Sequence, residues 1–143
     1  MKFLVLMFTL SLAAVAQAQE AGAWKITLNK KAVLKGTVES PDTTHLRISK
    51  EELSNNGTFK IEFDSKNDPK GWARTIAIFD TTEASVAQRD STWGFFVYNK
   101  DLLKILWSRK KAYVYSWSAP LDKGMAAAIR LKRYKLCTLE LID

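Results

Sequence analysis

Short runs rich in β-branched and aromatic residues, each ended within eight to fifteen residues by turn chemistry, cover most of this chain. Such punctuation marks a sandwich or barrel, because short strands must each be turned back by Gly, Asn, Asp or Pro. It predicts strands near residues 24–28, 32–38, 44–48, 58–64, 73–79, 93–98, 111–117, 126–133 and 135–141. Asn56-Gly57 tolerates positive φ ahead of Thr58–Phe63, where Phe59, Ile61 and Phe63 alternate with polar residues, so one face of that strand is expected to be buried. Asp68-Pro69-Lys70-Gly71 has Pro at the second and Gly at the fourth position of a type I turn.

Two stretches depart from the β pattern. From Asn99 to Ser108, Leu102, Leu103, Ile105, Leu106 and Trp107 follow helical spacing, with Lys100, Asp101, Lys104 and Ser108 opposite. Asn99 is the expected N-cap, Tyr98 and Leu103 the expected hydrophobic staple, and Arg109, Lys110 and Lys111 put positive charge at the carboxyl end. A weaker helix is expected over Thr81–Ser91, capped by Asp80. Ser49-Lys50-Glu51-Glu52 has the form of a capping box, which Asn55-Asn56-Gly57 would stop after about one turn.

At the amino end, Lys2 precedes a largely apolar run from Phe3 to Val15 and then Ala16-Gln17-Ala18, the form of a secretory signal with a small-x-small cleavage site. The run is shorter than the ~20 residues of a membrane-spanning helix, and no later stretch is long enough to span a bilayer. The expected organisation is a signal peptide over residues 1–18 and one β-sandwich domain over 19–143, exported to the periplasm or outside the cell. Cys137 is the only cysteine, so no internal disulfide forms, and a domain of this size needs none.

Few residues offer catalytic chemistry. His45 is the only histidine and shares the polar face of its strand with Arg47, the pattern of an exposed strand residue. Cys137, among Leu136, Leu139 and Leu141, is expected to be a buried structural thiol. No G-x-S-x-G, H-E-x-x-H or C-x-x-C occurs. Asp64–Gly71 has a superficial likeness to a calcium loop, but lysines fill ligand positions, so no metal or other cofactor is expected. A hydrolase remains an alternative if Glu62 and Asp64, or Glu51, Glu52 and Asp80, converge as paired carboxylates.

Aromatic and basic residues are more informative. In Ala112–Ser118 a strand would throw Tyr113, Tyr115 and Trp117 to one face and small residues to the other. The stripe either packs against the core and the preceding helix, the commoner use of such residues, or offers a stacking platform to a ligand. Charge is uneven: residues 19–99 carry eleven basic and eleven acidic side chains, whereas 100–135 carry ten basic ones against Asp101 and Asp122. Arg109, Lys110 and Lys111 form one knot and Arg130, Lys132 and Arg133 another; if they share a face, they would attract a polyanion such as an acidic polysaccharide.

Pro69–Arg74, Asn99-Lys100-Asp101-Leu102, Val114–Trp117 and Ala127–Leu139 together resemble small exported proteins of Bacteroidetes-type bacteria. The resemblance spans about half of residues 19–143 and implies a bacterial origin, with no activity or functional residues attached. The fold expected is an antiparallel β-sandwich of seven to nine strands with one short α-helix, with α+β as the alternative. The expected role is a non-catalytic binding module, with a subunit or inhibitor of a protein partner as a further alternative.

Overall fold

A computed structural model describes residues 22–38, 44–64 and 70–143. The expected signal segment and Asp68 and Pro69 of the Asp68–Gly71 turn lie outside the described residues. The fold is mainly β, with nine strands in two sheets and three short helices among the described residues. The strands are β1 (Ala23–Leu28), β2 (Lys31–Thr37), β3 (His45–Ser49), β4 (Thr58–Phe63), β5 (Trp72–Phe79), β6 (Ser85–Arg89), β7 (Gly94–Tyr98), β8 (Lys111–Pro120) and β9 (Tyr134–Ile142). The helices are α1 (Lys50–Leu53), α2 (Asn99–Arg109) and α3 (Lys123–Ala128). No described helix is long and apolar enough to cross a membrane.

One sheet runs β2-β1-β4-β7, with every pair antiparallel. The other runs β3-β9-β8-β5-β6, antiparallel except where β3 lies parallel to β9. Between the sheets, Trp24, Ile26, Phe59, Ile61, Phe63 and Phe95 from the first join Ile48, Ile76, Ile78, Val114 and Leu139 from the second in one apolar core. These residues obey the period-2 alternation of a strand with one face buried. Leu102 and Leu106 of α2 complete the core.

Arg74 is the charged member of this interior, only 8% exposed. Its Nη1 donates to Ser116 Oγ at 3.0 Å, and that hydroxyl donates to the Thr75 carbonyl at 2.9 Å. On the outer face of the four-stranded sheet, Lys60 and Lys25 lie 2.5 and 3.5 Å from Glu62, while Phe96 and Tyr98 meet edge to face at 5.6 Å.

The capping box at Ser49 forms as expected: Glu52 N–H donates to Ser49 Oγ at 3.1 Å and Ser49 N–H to Glu52 Oε2 at 2.8 Å. Three local expectations are corrected. Residues 81–91 form no helix, because the Asp80 carboxylate accepts the Thr82 and Ala84 N–H groups and Glu83 adopts φ +65°. This turn sends Ser85–Arg89 back along β5 as β6. Residues 126–133 form no strand, because Asp122 caps Met125 and the following alanines, strong helix formers, continue α3. Finally, the N-cap of α2 is Tyr98, not Asn99. The Asn99 side chain is buried instead, and its Nδ2 lies 2.7 Å from Asn29 Oδ1 and 3.3 Å from the Glu52 and Asn55 carbonyls. The staple positions then fall to Val97 and Leu102, both in the core.

Candidate functional site

The alternation of β8 decides which way its aromatics face. Ala112, Val114 and Ser116 are buried, with Ala112 and Val114 in the core, whereas Tyr113, Tyr115 and Trp117 are half-buried on the opposite side. The stripe therefore lies on the outer face of the five-stranded sheet and not between the sheets. Trp107, expected to pack beside it from α2, is turned to solvent.

Register assembles the rest of this face. Phe79, Ala77 and Thr75 of β5 pair with Tyr113, Tyr115 and Trp117, and on the other flank Thr138 and Lys135 of β9 pair with Tyr113 and Tyr115. The Phe79 ring meets Tyr115 edge to face at 5.2 Å and Trp117 at 6.3 Å. Arg133, from the irregular segment before β9, holds its guanidinium carbon 5.3 Å from the Phe79 ring centre and 5.8 Å from that of Trp117. Lys135 Nζ lies 4.7 Å from the Tyr113 ring centre. Such contacts between cations and aromatic faces contribute about 0.5–1 kcal/mol each at exposed sites, enough to orient the side chains.

Between these groups opens a cleft of about 380 Å³, lined by Phe79, Tyr113, Tyr115, Arg133, Lys135, Thr81 and Glu83. Arg109 reaches its rim, donating from Nη1 to Thr81 Oγ1 at 3.2 Å. The other basic candidates lie elsewhere. Lys110 sits over Trp107, and Arg130 and Lys132 line a separate groove with Trp72 and Tyr134, whereas Lys111 shares the outward side of β8 with Tyr113, opposite Glu140 and outside the cleft lining. The two basic knots thus contribute Arg133 and Arg109 to the cleft and its rim, and Lys111 to the same face beyond it. Sequence reading missed Phe79, Thr81, Glu83 and Lys135. Phe79 and Lys135 reach the face through cross-strand register, which local sequence does not record.

The remaining candidates are dispersed. His45 and Arg47 are exposed on β3 at the edge of the same sheet. The Glu62 carboxyl is held below its usual range first by its hydrogen bond with Lys60, and Asp80 likewise by Thr82. Glu62 on β4 with the exposed Asp64 just after it, Glu51 and Glu52 on α1, and Asp80 in the turn after β5 belong to three separate parts of the fold. Cys137 is 2% exposed, and burial pushes its thiol up to about 12. Among the described residues, no three His, Cys, Asp or Glu side chains are grouped to hold a metal ion. Comparison with protein-family models and with curated proteins yields no match.

Proposed function

We propose that this protein is an exported, non-catalytic binding module whose outer aromatic face takes an acidic glycan or a related polyanion. The observation that carries this reading is the cleft that Phe79, Tyr113 and Tyr115 line together with Arg133 and Lys135. Tyr113 and Tyr115 are half-buried whereas Phe79 is buried, so the two tyrosines are the rings open to the apolar side of a sugar. A guanidinium and an ammonium beside them supply charge-assisted hydrogen bonds to carboxylate or sulfate groups. Glu83 in the same lining is an acceptor for sugar hydroxyls, which complements the two cationic donors. The amino-terminal signal pattern supports export, and the surplus of basic residues after Lys100 supports a polyanionic ligand.

Isothermal titration against acidic and neutral glycans, paired with melting curves, tests this reading. Tyr115→Ala and Arg133→Ala should weaken binding to the acidic glycan, with little change in thermal midpoint for Arg133→Ala. Affinity should fall steeply with salt, as screening and counterion release both oppose charge pairing. Equal affinity for neutral and acidic glycans, or wild-type affinity in both variants, would overturn it.

A further inference from the structure

The outward stripe of α2 forms a second surface, on different residues. Lys100, Leu103, Lys104 and Trp107 recur at helical spacing and, with Leu53 of α1 and the Ser54 that follows it, line an open groove of about 640 Å³. Because Leu102 and Leu106 fix the opposite side of the helix in the core, Trp107 must point out, and it is 55% exposed. Lys50 Nζ and Lys110 Nζ lie 4.9 and 5.2 Å from its ring centre. Tyr98, at the start of the helix, is 52% exposed and carries Lys100 at 5.8 Å. Lys50 also pairs with Asp143 at 2.7 Å, but no carboxylate lines the groove itself.

We infer that this face docks on an anionic lipid surface, with Trp107 entering the headgroup boundary and Lys50, Lys100, Lys104 and Lys110 meeting lipid phosphates. An exposed indole has an apolar body and a polar N–H, the combination enriched where membrane meets water. Lysine stems lie along apolar surface while their heads reach outward, so the same side chains that flank the ring can follow it to the headgroups. Charge complementarity selects anionic lipid over neutral lipid, each lysine near such a surface strengthening attachment about fivefold. The open groove, with lysines around its aromatic centre, suits a broad charged plane better than an enclosed segment. One aromatic with a basic cluster gives reversible attachment, not permanent anchoring.

Flotation of the protein, as recovered from its cell, with vesicles of phosphatidylcholine mixed with phosphatidylglycerol tests the inference against pure phosphatidylcholine vesicles. The protein should float with the mixed vesicles, stay behind with the neutral ones, and detach as salt rises. Trp107→Ala should weaken attachment about tenfold or more, and the Lys100→Glu, Lys104→Glu double variant should abolish it, at unchanged thermal midpoints. Arg133→Ala should leave attachment unaltered, which separates failure here from failure of the glycan reading. Equal attachment to neutral vesicles, or wild-type attachment by Trp107→Ala, would overturn the inference. So would a dimer that dissolves on substituting Trp107, or capture of a glutamate-rich peptide in place of vesicles, since either assigns the face to a different occupant.

Discussion

The Arg74 guanidinium, carried on the five-stranded sheet, lies 4.2 Å from the ring centre of Phe63 on the four-stranded sheet. One cation thus bridges the two layers, stacking on the far sheet while bonding Ser116 on its own. Arg74→Lys should not restore what Arg74→Ala loses, because an ammonium lacks the planar face that stacks on an aromatic ring. Both variants should lose roughly 1–3 kcal/mol by denaturant midpoint, with Lys no better than Ala by more than about 1 kcal/mol. Full stability in Arg74→Lys would show that charge alone suffices.

The two sides of α2 should respond very differently to truncation. Leu106→Ala should cost roughly 2–5 kcal/mol, since lost transfer energy is compounded by a cavity in a fully buried site. Lys104→Ala, on the outward stripe, should be nearly silent by the same denaturant measurement.

Asn99 ties α2 to the β1–β2 turn and to the end of α1 through one amide nitrogen. Asn99→Ala should cost about 1–3 kcal/mol by removing the donor from Asn29 Oδ1 and the Asn55 carbonyl, while the Glu52 carbonyl keeps Asn29 Nδ2 at 3.0 Å. Asn99→Asp should cost more than Ala, because a carboxylate oxygen would then face three other oxygens. Gly57→Ala should disturb the same junction, since an added Cβ would fall onto Asn29 Oδ1. Thermal unfolding of the three variants ranks them.

How much of this was legible beforehand follows from which forces are local. The alternation of Phe59, Ile61 and Phe63, the spacing of Leu102 and Leu106 and the Ser49 capping box are each written within a few residues, and each forms. Strand β6 was hidden because Ser85–Arg89 is largely exposed and lacks alternation; what makes it a strand is pairing to β5. The apolar stretch after Gly124 reads as a strand because its alanines, Ile129 and Leu131 are ambiguous in period, and the cap at Asp122 decides for helix. On the candidate face, Tyr113, Tyr115 and Trp117 were visible as a stripe. Which side of the sheet they occupy, and that Phe79 and Lys135 join them, depends on pairings with β5 and β9 that only the folded chain brings together.

Cys137 should be unreactive in the native protein. With burial pushing its thiol up to about 12, almost no thiolate exists near neutral pH, so alkylation should follow unfolding and be fast only in denaturant. The same shift has a sign for stability. Below the ordinary thiol value of 9.0 both states hold the proton and nothing is lost; as pH rises from there toward about 12 the unfolded chain ionises first and the fold weakens. Replacing Cys137 with Ala should flatten that alkaline decline in a series of denaturant midpoints.

The parallel pairing of β3 with β9 carries a consequence for how the chain reaches its fold. β9 lies between β3 and β8, so β3 cannot join the five-stranded sheet until a partner far along the chain has been made and delivered. The four-stranded sheet draws its strands from residues 23–98 and has no such dependence. Contacts of long sequence separation are formed late, after loop-closure entropy has been overcome. The core face of the four-stranded sheet should therefore stay open until β9 pairs, an interval in which the chain is exposed to proteolysis and aggregation.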